Sequence, residues 1–442
     1  MKTAFITLGC KVNQAESEAL ASYAETQGDA DYTGDATTCI CIVNTCCVTA
    51  KAAMQSRQAI RKAIRNHPDA TIVVTGCYAQ VQPDEILSIQ GVDYIIGQSD
   101  KHRIIDIIDA APGKKSVSPL VMNESISEKR IFDRMPAPAF GSRTRPFLKI
   151  QDGCNSFCTY CIVPYSRGRS RSLPPDQVMA ELDWLIQKGA KEIVLTGIHL
   201  GRWGTDLSGG SDLLWLLETI QHRPGLQRLR LSSLEPTEIS DPLLDFISKS
   251  QKVCRHFHVP LQSGDPEILK RMNRHYPPAN FAETIRKIHE RMEDAAIGAD
   301  VMVGFPGETD AAFANTRNLV ASLPISYLHV FPFSPRPPAP AADYPDQVPP
   351  QIARQRADIL SALGKSKKAC FYKKMTGKTL DVIIEKKIDK PGFFYKGLSS
   401  NYIPVYIQND IQIKTNHMAS CLITGVDEDL CVSAMLQSSC AE

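Results

Sequence analysis

The sequence lacks a long run of apolar residues. No run approaches the ~18–20 residues that a bilayer-spanning helix needs, so an integral membrane protein and a membrane partner are not expected. The first residues turn polar after Gly9, too early for the apolar core of a signal peptide, and we expect a cytoplasmic protein. A large excess of positive or negative charge is also absent. The net charge is only +2, which excludes a strongly basic nucleic-acid-coating protein but allows a local basic patch.

Cysteine, in contrast, is abundant, with 14 residues in 442. Disulfide scaffolds are small secreted domains, and this chain is long and shows no export signal. In a reducing compartment, closely spaced cysteines are more often metal ligands or catalytic groups. Other cysteines sit in predicted strand interiors or among apolar neighbours, where we expect small buried side chains: Cys39, Cys41, Cys254, Cys370, Cys421, Cys431 and Cys440.

The length predicts about three domains at ~150 residues each. Residues 1–111 alternate short β-rich runs with helical patterns, which indicates a doubly wound parallel sheet. The predicted strands are Thr3–Leu8, Thr38–Asn44, Thr71–Thr75 and Tyr94–Ile96. The predicted helices are Ala15–Gln27, Thr49–Asn66, Pro83–Ile89 and Lys101–Ala110. Residues 112–142 are polar and contain several prolines, and we expect an irregular connector.

A second alternating series, residues 143–374, contains six predicted strands and ends in a helix. Six β-α units predict a partial barrel rather than a complete eight-unit one. The strands are Phe147–Ile150, Glu192–Thr196, Arg228–Ser232, His256–Leu261, Gly298–Val303 and Tyr327–Phe333. A proline-dense connector at Pro332–Pro350 precedes the helix at Gln351–Lys374. The tail, 375–438, switches to the two-residue period of strands and predicts a small β-barrel.

The strongest chemical motif is Cys154, Cys158 and Cys161 in GCNSFCTYC, just after the first barrel strand. Three thiolates within eight residues can hold one iron–sulfur cube and leave the fourth iron open for a substrate or cofactor. Zinc sites more often close a four-ligand shell with paired C-x2-C units. Barrels of this type place their chemistry where strands end and loops begin. The motif therefore predicts a cofactor facing the barrel interior.

A second, dispersed set is Cys10, Cys46 and Cys77, each just past a predicted strand of the first domain. The carboxyl ends of parallel strands share one edge of a sheet, so these thiols should converge. They fit either a second cluster or buried structural cysteines. Cys47 neighbours Cys46 and competes with it as a ligand.

Two basic segments have functional and structural interpretations. Arg167, Arg169 and Arg171, in YSRGRSRS, could bind RNA phosphates or a cofactor carboxylate, or form a solvated loop. Six lysines before the predicted small barrel have no acidic residue among them, which indicates either a nucleic-acid footprint or a solvated helix face. They are Lys365, Lys367, Lys368, Lys373, Lys374 and Lys378.

Three histidines and two acids on the barrel strands have open interpretations. His199, His256 and His258 could be metal ligands, although satisfied core or rim histidines are the more common case. Glu235 and Asp300 lie on or beside strand ends, where they could bind ribose or amino groups or merely cap loops.

A series of motifs together resembles the methylthiotransferases of the radical S-adenosylmethionine (SAM) superfamily. These motifs run from residue 3 to about 337, and the tail resembles the family's RNA-binding TRAM domain. They are TLGCKVNQAES, VNTCCVT, TGCYAQ, GCNSFCTYC, CIVPYSRGRSRS, LTGIHLG, HVPLQSG, KRMNRHY, VGFPGET and FSPRP. Two departures are Cys47, where the family usually has Thr, and Pro338–Ala339 in place of Gly–Thr.

The resemblance implies an enzyme with two [4Fe–4S] clusters that uses two SAM molecules. It assigns one cluster to Cys154, Cys158 and Cys161, and an auxiliary one, which would hold the sulfur, to Cys10, Cys46 and Cys77. With the strand-end geometry, it places SAM at Thr196 and Gly197, with Glu235 and Asp300 as further cofactor contacts.

The TLGCKVNQ signature resembles the bacterial branch that modifies C2 of N6-threonylcarbamoyladenosine 37 in tRNA. The runner-up is the isopentenyladenosine branch, and a non-catalytic iron–sulfur RNA-binding protein is a further alternative. The implied partners are the tRNA anticodon stem-loop, an electron donor such as flavodoxin or ferredoxin, and a sulfur source. The expected RNA contacts are Arg167, Arg169, Arg171, Lys367, Lys368, Lys373 and Lys374.

Overall fold

The computed structural model describes residues 2–26, 39–110, 118–135, 143–390, 392–408 and 413–437. These residues build a parallel sheet, a partial barrel of parallel strands and a small closed barrel, as the sequence predicts. Within the described residues, no helix is both long and apolar enough to cross a membrane.

The N-terminal sheet has five parallel strands in the order β1-β2-β3-β4-β5. They are β1 (Thr3–Thr7), β2 (Ile40–Thr45), β3 (Thr71–Gly76), β4 (Tyr94–Ile96) and β5 (Leu120–Met122). The helices are α1 (Lys11–Thr26), α2 (Ala50–Asn66), α3 (Cys77–Val81), α4 (Pro83–Leu87) and α5 (Ile104–Asp109). Helices α1 and α5 pack on one face of the sheet and α2 and α4 on the other. Burial on both faces explains why a central strand such as β2 is apolar along most of its length.

The sequence analysis missed β5, which lies in the predicted connector 112–142. Its three residues are half-exposed and pair only with β4 at the sheet edge, so they are too few to show a periodic pattern. Within that connector, residues 112–117 and 136–142 lie outside the described residues, as do Gln27 and Thr38, which end a predicted helix and begin a predicted strand. Helix α2 begins one residue later than predicted because Thr49 is its N-cap and accepts from the Ala52 amide.

The partial barrel consists of six parallel strands in two sets of three, ordered β6-β9-β10 and β11-β12-β13. A bridge between Leu229 and Val253 joins the two sets. The strands are β6 (Phe147–Lys149), β9 (Glu192–Thr196), β10 (Arg228–Leu231), β11 (His256–His258), β12 (Ala296–Val303) and β13 (Tyr327–Pro332). The short pair β7 (Gln151–Asp152) and β8 (Arg171–Ser172) follows β6. This confirms the predicted six-unit barrel.

Helices cover the outside of the barrel, where residues such as Leu182, Leu217 and Ile285 pack against alternate strand residues such as Leu195 and Val301. The short helix α6 (Val163–Arg167) instead contacts α3 of the N-terminal domain. The helices that cover the barrel are α7 (Pro175–Gln187), α8 (Leu213–Gln221), α9 (Asp241–Lys249), α10 (Pro266–Arg271), α11 (Pro278–Arg291), α12 (Asp310–Ser322) and α13 (Pro350–Lys374). Single 3-10 turns occur at Lys101–Arg103, Ile126–Glu128, Leu200–Arg202, Pro236–Glu238 and Pro340–Asp343.

Helix α1 of the N-terminal domain lies against the inner face of the partial barrel. Its Ala15 packs on Phe147 and Val194, whereas the alternate residues Leu148 and Leu195 face the outer helices. The N-terminal domain therefore contacts the side that six strands leave open.

The C-terminal barrel is closed and has the strand order β14-β15-β16-β18-β17. Its strands are β14 (Thr379–Lys390), β15 (Phe393–Ser399), β16 (Pro404–Ile407), β17 (Met418–Val426) and β18 (Val432–Leu436). Alternate residues such as Val382, Ile384 and Val405 fill it, as the two-residue period predicts.

Two buried arginines join the C-terminal barrel to the partial barrel. Arg228 and Arg230 flank the fully buried Glu192, with nitrogen–oxygen distances of 2.5 and 2.7 Å. Arg228 donates to the carbonyls of Asp381 and Leu398, at 2.9 and 2.8 Å. Arg230 donates at 3.0 Å to the carbonyls of Ser399, the last residue of β15, and of Ser400 in the turn that follows.

Candidate functional site

The loop that carries Cys154, Cys158 and Cys161 begins directly after β7. Gly153 opens it at φ +69°, and a Cβ there would lie 2.0 Å from the Arg169 carbonyl oxygen, so only glycine allows this approach. The Cys154 amide donates to the Gly168 carbonyl at 3.0 Å. Cys158 is buried, and the other two cysteines are half-buried.

Residues after β11 hold this cysteine loop from the opposite side. The Asn273 amide group donates to the carbonyls of Ser156 and Phe157, both at 3.1 Å, and Thr159 donates its amide to the Met272 carbonyl. The loop is therefore fixed at both ends, at the rim where the barrel strands end.

His199 contacts the first thiol of this loop. Its Nδ1 lies 3.4 Å from the Cys154 sulfur, and its Nε2 lies 2.7 Å from Glu238. Burial opposes the ionisation of Cys154, but hydrogen bonds from His199 and Ser156 outweigh it and lower the thiol pKa. Burial also disfavours the imidazolium, yet Cys154 and Glu238 raise the pKa of His199 to about 10. His199 is thus suited to orient and stabilise a thiolate.

Arg274 contacts the second thiol, with its Nη1 3.6 Å from the Cys158 sulfur. The same guanidinium forms an ion pair with both carboxylate oxygens of Glu235 and donates to the Tyr276 hydroxyl at 2.9 Å. Glu235, predicted as a cofactor contact, therefore lies beside the cysteine loop. Burial raises the pKa of the Cys158 thiol, so the thiolate needs positive charge nearby.

Two of the other predicted cofactor contacts lie at the end of β9. Thr196 is buried, and its carbonyl accepts from the Ile150 amide at 3.0 Å. A Cβ at Gly197 would lie 2.9 Å from that of Gln151, so glycine lets the chain approach the start of the cysteine loop.

Asp300 lies in a different group, on the inner face of the barrel. Its Oδ1 lies 2.8 Å from His258 Nε2 and 3.3 Å from His329 Nδ1. Both imidazoles hold the pKa of Asp300 below its usual range against the effect of burial. His256 is buried, and its Nε2 hydrogen-bonds the Tyr327 hydroxyl at 2.8 Å, but its Nδ1 has no hydrogen-bond partner among the described residues, so it is a core histidine that is only half satisfied.

The second cysteine set follows β1, β2 and β3 at one edge of the N-terminal sheet. Cys46 and Cys77 are buried and Cys10 is exposed. Gly9, at φ +96°, packs so closely that a Cβ there would lie 2.7 Å from the Cys46 Cβ. Parallel pairing brings the three cysteines to one edge, as their strand-end positions indicate.

Cys46 and Cys47 have different neighbours. Burial, together with the adjacent Cys77 and Cys10, raises the pKa of Cys46 to about 12. Cys47 is fully buried, its thiol faces Arg336, and its pKa is raised mainly by burial. Cys46 is therefore the member of the pair that interacts with both of the other thiols.

Both cysteine sets fit an iron–sulfur cluster better than a single metal ion. A tetrahedral zinc ion with Zn–S bonds of about 2.3 Å requires sulfurs about 3.8 Å apart. Across the described ranges, the set of three ligand atoms that all lie within 4.8 Å of one another is His258, Asp300 and His329, not a cysteine set. Three soft thiolates at wider spacing match a cubane cluster that keeps one open iron.

The basic loop YSRGRSRS is mostly buried, contrary to the expectation of an RNA-facing loop. Arg167 donates to Glu16 at 2.8 Å, Asp152 at 2.9 Å and Asn13 at 2.5 Å. Arg171 is 2% exposed and donates to main-chain carbonyls of its own loop. Neither guanidinium can reach RNA phosphates.

Arg169 is the exposed arginine of this loop. Its guanidinium lies 5.2 Å from the centre of the Phe157 ring, which is itself 38% exposed. The two side chains line a cavity of about 580 Å³ between the N-terminal domain and the cysteine loop, with Tyr165 and Gln80 also in its wall.

Glu16, which the sequence analysis did not select, is the centre of a buried ion network between the two cysteine sets. Besides Arg167, it accepts from Lys101 at 2.6 Å and from Lys149 at 2.7 Å. Burial alone would raise the pKa of Glu16, but these three cations hold it well below its usual range. Polar residues at a three-residue spacing on α1, Asn13 and Glu16, were the signal available in the sequence.

Lys11 is a further residue that was not selected. It follows Cys10 directly and is half-buried. Burial, with repulsion from Arg230 and Arg145, lowers the pKa of Lys11 to about 8.

The lysines of α13 are less available than predicted. Lys367 donates to the carbonyls of Ala321 and Leu323 at the end of α12, at 3.0 and 2.7 Å. Lys374 pairs with Glu293 at 2.6 Å, and Lys368 lies over the Tyr372 ring. Lys373 remains exposed.

Two family descriptions match this chain. Residues 148–320 match the radical SAM superfamily, and residues 2–97 match the uncharacterized protein family UPF0004. A solved radical SAM methyltransferase, TsrM of Kitasatospora setae, superimposes with a TM-score of 0.59 over 81% of this chain and 82% of its own, at 15% identity. At that identity the structural similarity supports the fold alone.

Relatives of similar length give more detail. Threonylcarbamoyladenosine tRNA methylthiotransferase MtaB of Bacillus subtilis is 39% identical over 91% of this chain and 89% of its own length. The protein of the same name from Thermotoga maritima is 36% identical over 93% and 91%. The tRNA-2-methylthio-N(6)-dimethylallyladenosine synthase of Clostridium botulinum is 35% identical over 86% and 85%.

These relatives and the superfamily match show an enzyme that transfers a methylthio group with SAM and two [4Fe–4S] clusters. The chain belongs to the radical SAM methylthiotransferase family, in the branch of the MtaB proteins.

Proposed function

We propose that this enzyme installs a methylthio group at C2 of N6-threonylcarbamoyladenosine 37 in tRNA. The observation that carries the proposal is the presence of both cysteine sets, at the ends of parallel strands, in a chain 34–39% identical to five proteins named for that reaction. The alternative is the isopentenyladenosine reaction, which the relatives named for dimethylallyladenosine support at 35% identity.

In this proposal, Cys154, Cys158 and Cys161 hold the cluster that binds SAM, and Cys10, Cys46 and Cys77 hold the auxiliary cluster. When bound, these groups supply the radical that activates the C2–H bond and the methylthio group that replaces the hydrogen. Cys46 is preferred over Cys47 because it interacts with both other thiols of its set.

Side chains behind the SAM-cluster cysteines fix their direction and charge. His199 donates toward the Cys154 sulfur, and Arg274 toward the Cys158 sulfur. Such outer partners tune the ligands and hold their orientation. Thr196, Gly197 and Glu235 line the adjacent rim and are proposed to hold SAM. Asp300 is engaged with two imidazoles, and we assign it to the substrate side of the barrel.

Helix α1 would exclude water from the space between the two cysteine sets. It contacts the inner barrel face at Phe147 and Val194, and Glu16 ties it to Lys149 and Arg167 of the barrel domain. A closed, preorganised site protects a reactive radical from solvent and side reactions.

The RNA contacts are proposed to be the C-terminal barrel with the exposed part of α13, and the cavity at Arg169 and Phe157. Single-stranded RNA loops are recognised by stacking bases on aromatic and arginine planes, which this pair presents. Flavodoxin or ferredoxin would supply electrons, and a separate donor would replace the sulfur. A tRNA substrate would place the reaction in the cytoplasm.

The test is mass spectrometry of tRNA nucleosides from a strain that lacks its own methylthiotransferases and carries this chain. We expect 2-methylthio-N6-threonylcarbamoyladenosine, and none with the Cys154→Ala variant as the matched control. The isopentenyl product in its place would keep the chemistry and overturn the branch. Neither product from a brown, iron-loaded protein would overturn the proposed substrate class.

A further inference from the structure

Three strands of the partial barrel place a group of metal-ligating side chains on its inner face. His258, Asp300 and His329 lie on β11, β12 and β13, which pair in parallel, and Asp300 is in register with His329. Ala299 and Val301 pack against the outer helices, so the alternation of the strand directs Asp300 inward. The ligand atoms of this inner-face group all lie within 4.8 Å of one another.

Both imidazoles of the inner-face group converge on one oxygen of Asp300. Its Oδ1 lies 2.8 Å from His258 Nε2 and 3.3 Å from His329 Nδ1. Hydrogen bonding alone would be met equally well by one imidazole on each carboxylate oxygen, whereas convergence on one oxygen gathers three ligand atoms into a triangle. Metal–ligand bonds of about 2.05 Å place neighbouring ligand atoms about 2.9 Å apart at 90° and about 3.3 Å apart at 109°. The two measured distances match this range.

The hydroxyl of Tyr327 holds the orientation of His258. It lies 3.2 Å from His258 Nδ1, the ring nitrogen that does not contact Asp300, and 2.8 Å from His256 Nε2. Gly298, between the two strands concerned, makes this possible, because a Cβ there would lie 2.1 Å from the Tyr327 ring. A histidine that binds a metal is almost always held through its other ring nitrogen in this way. The inner-face group therefore has the outer hydrogen bond that fixes a metal ligand.

The inner-face group is open on one side. The side chain of His329 is 61% exposed and that of Asp300 25%, whereas His258 is mostly buried. Two imidazole nitrogens and one carboxylate oxygen suit zinc and related divalent metals, and a site with three protein ligands keeps a position for water or a substrate atom. We propose that His258, Asp300 and His329 bind one divalent metal ion of the zinc class, as a third metal centre besides the two clusters. This metal site is independent of which tRNA nucleoside the enzyme modifies.

The test measures zinc binding by the full-length enzyme with both iron–sulfur clusters loaded anaerobically. After incubation with Zn²⁺ and gel filtration, we expect one zinc ion per chain by elemental analysis, with the iron content unchanged. X-ray absorption at the zinc edge should show nitrogen and oxygen ligands at about 2.0–2.2 Å and no sulfur at about 2.3 Å. The absence of sulfur separates this site from zinc captured by the cluster cysteines.

Single substitutions identify the ligands. His329→Asn removes an exposed imidazole and should leave the fold intact, and Asp300→Asn removes the shared charge at almost constant size. Each should weaken zinc binding at least about 100-fold, since loss of an outer partner alone costs about 10–100-fold. The matched control is His222→Asn, which removes an exposed histidine at the end of α8 and should bind zinc as the wild type does.

Failure of the wild-type enzyme to retain zinc would overturn the proposal, and so would zinc–sulfur bonds in the absorption spectrum. Equal zinc affinity of His329→Asn and the wild type would also overturn it. If Asp300→Asn fails to load its clusters, His329→Asn decides. None of these readouts depends on the methylthio product, so a failure of the proposed function would be seen separately.

Discussion

Replacing Glu16 by Gln removes one negative charge from the buried network between the two cysteine sets. The carboxylate accepts from Arg167, Lys101 and Lys149, and its side chain is 2% exposed. After the change, Asp152 remains as a carboxylate partner of Arg167 and Lys149, whereas Lys101 keeps its hydrogen bond to the Asn44 amide oxygen and loses its carboxylate partner. The substitution is almost isosteric, so its effect reports the charge rather than packing.

The expected loss of stability follows from the burial of these partners. Removing one member of a buried ion pair costs about 3–5 kcal/mol because it leaves uncompensated charge. The matched control is Glu18→Gln on the same helix, where Arg143 is 46% exposed. A pair with so exposed a partner contributes at most about 1 kcal/mol.

The assay is urea unfolding followed by tryptophan fluorescence, since Trp184, Trp203 and Trp215 all lie in the barrel domain. Methylthio product per 5′-deoxyadenosine formed gives the second readout. We expect this ratio to fall in Glu16→Gln, because α1 no longer holds the two cysteine sets in register. Equal urea midpoints for the two variants would refute the reasoning.

The difference in stability between the wild type and Glu16→Gln should depend on pH in a defined direction. The pKa of Glu16 is depressed in the folded state by its three cations, so its stabilisation is complete above the unfolded value of about 4.5 and is lost as pH falls through the folded pKa. The difference in the free energy of unfolding between wild type and Glu16→Gln should be constant above pH ~5 and should decrease below it.

Four further substitutions test single residues. Cys154→Ala should abolish 5′-deoxyadenosine formation, measured by liquid chromatography, while tRNA binding persists; retained SAM cleavage would contradict the assignment. Cys10→Ala should still cleave SAM but form no methylthio product, and full product formation would remove the auxiliary role. Lys373→Ala should weaken tRNA binding and lower its salt slope by about 1, whereas Lys367→Ala, whose ammonium contacts the end of α12, should lower thermal stability instead.

The sequence predicted the parts of the site that depend on local order. Each of Cys10, Cys46 and Cys77 follows a strand, and parallel strands necessarily end at a common edge. The C-x3-C-x2-C loop is local in the same sense. The alternation of strand and helix patterns was likewise sufficient to predict the six-strand barrel.

Features that depend on distant partners were not predictable in this way. Arg167 belongs to a run for which RNA phosphates, a cofactor carboxylate and solvent were all possible partners, but its counter-ion Glu16 lies 151 positions earlier in the chain. Lys367 is one of six lysines, and only the end of α12, more than 40 residues away, distinguishes it. A pattern of residue types shows which groups carry charge, not which charges meet.

The arginine joint between the two barrels has an evolutionary consequence. In its four hydrogen bonds the side chains come from Arg228 and Arg230, while the C-terminal barrel supplies main-chain carbonyls. Every residue type has a carbonyl, so substitutions at Asp381, Leu398, Ser399 and Ser400 would leave these four bonds in place, unlike the ion pair of Arg145 with Glu385, which needs a side chain of that barrel. Substitutions can thus accumulate at these four positions over evolution while the arginine anchor, and with it the placement of the C-terminal barrel on the partial barrel, is inherited unchanged.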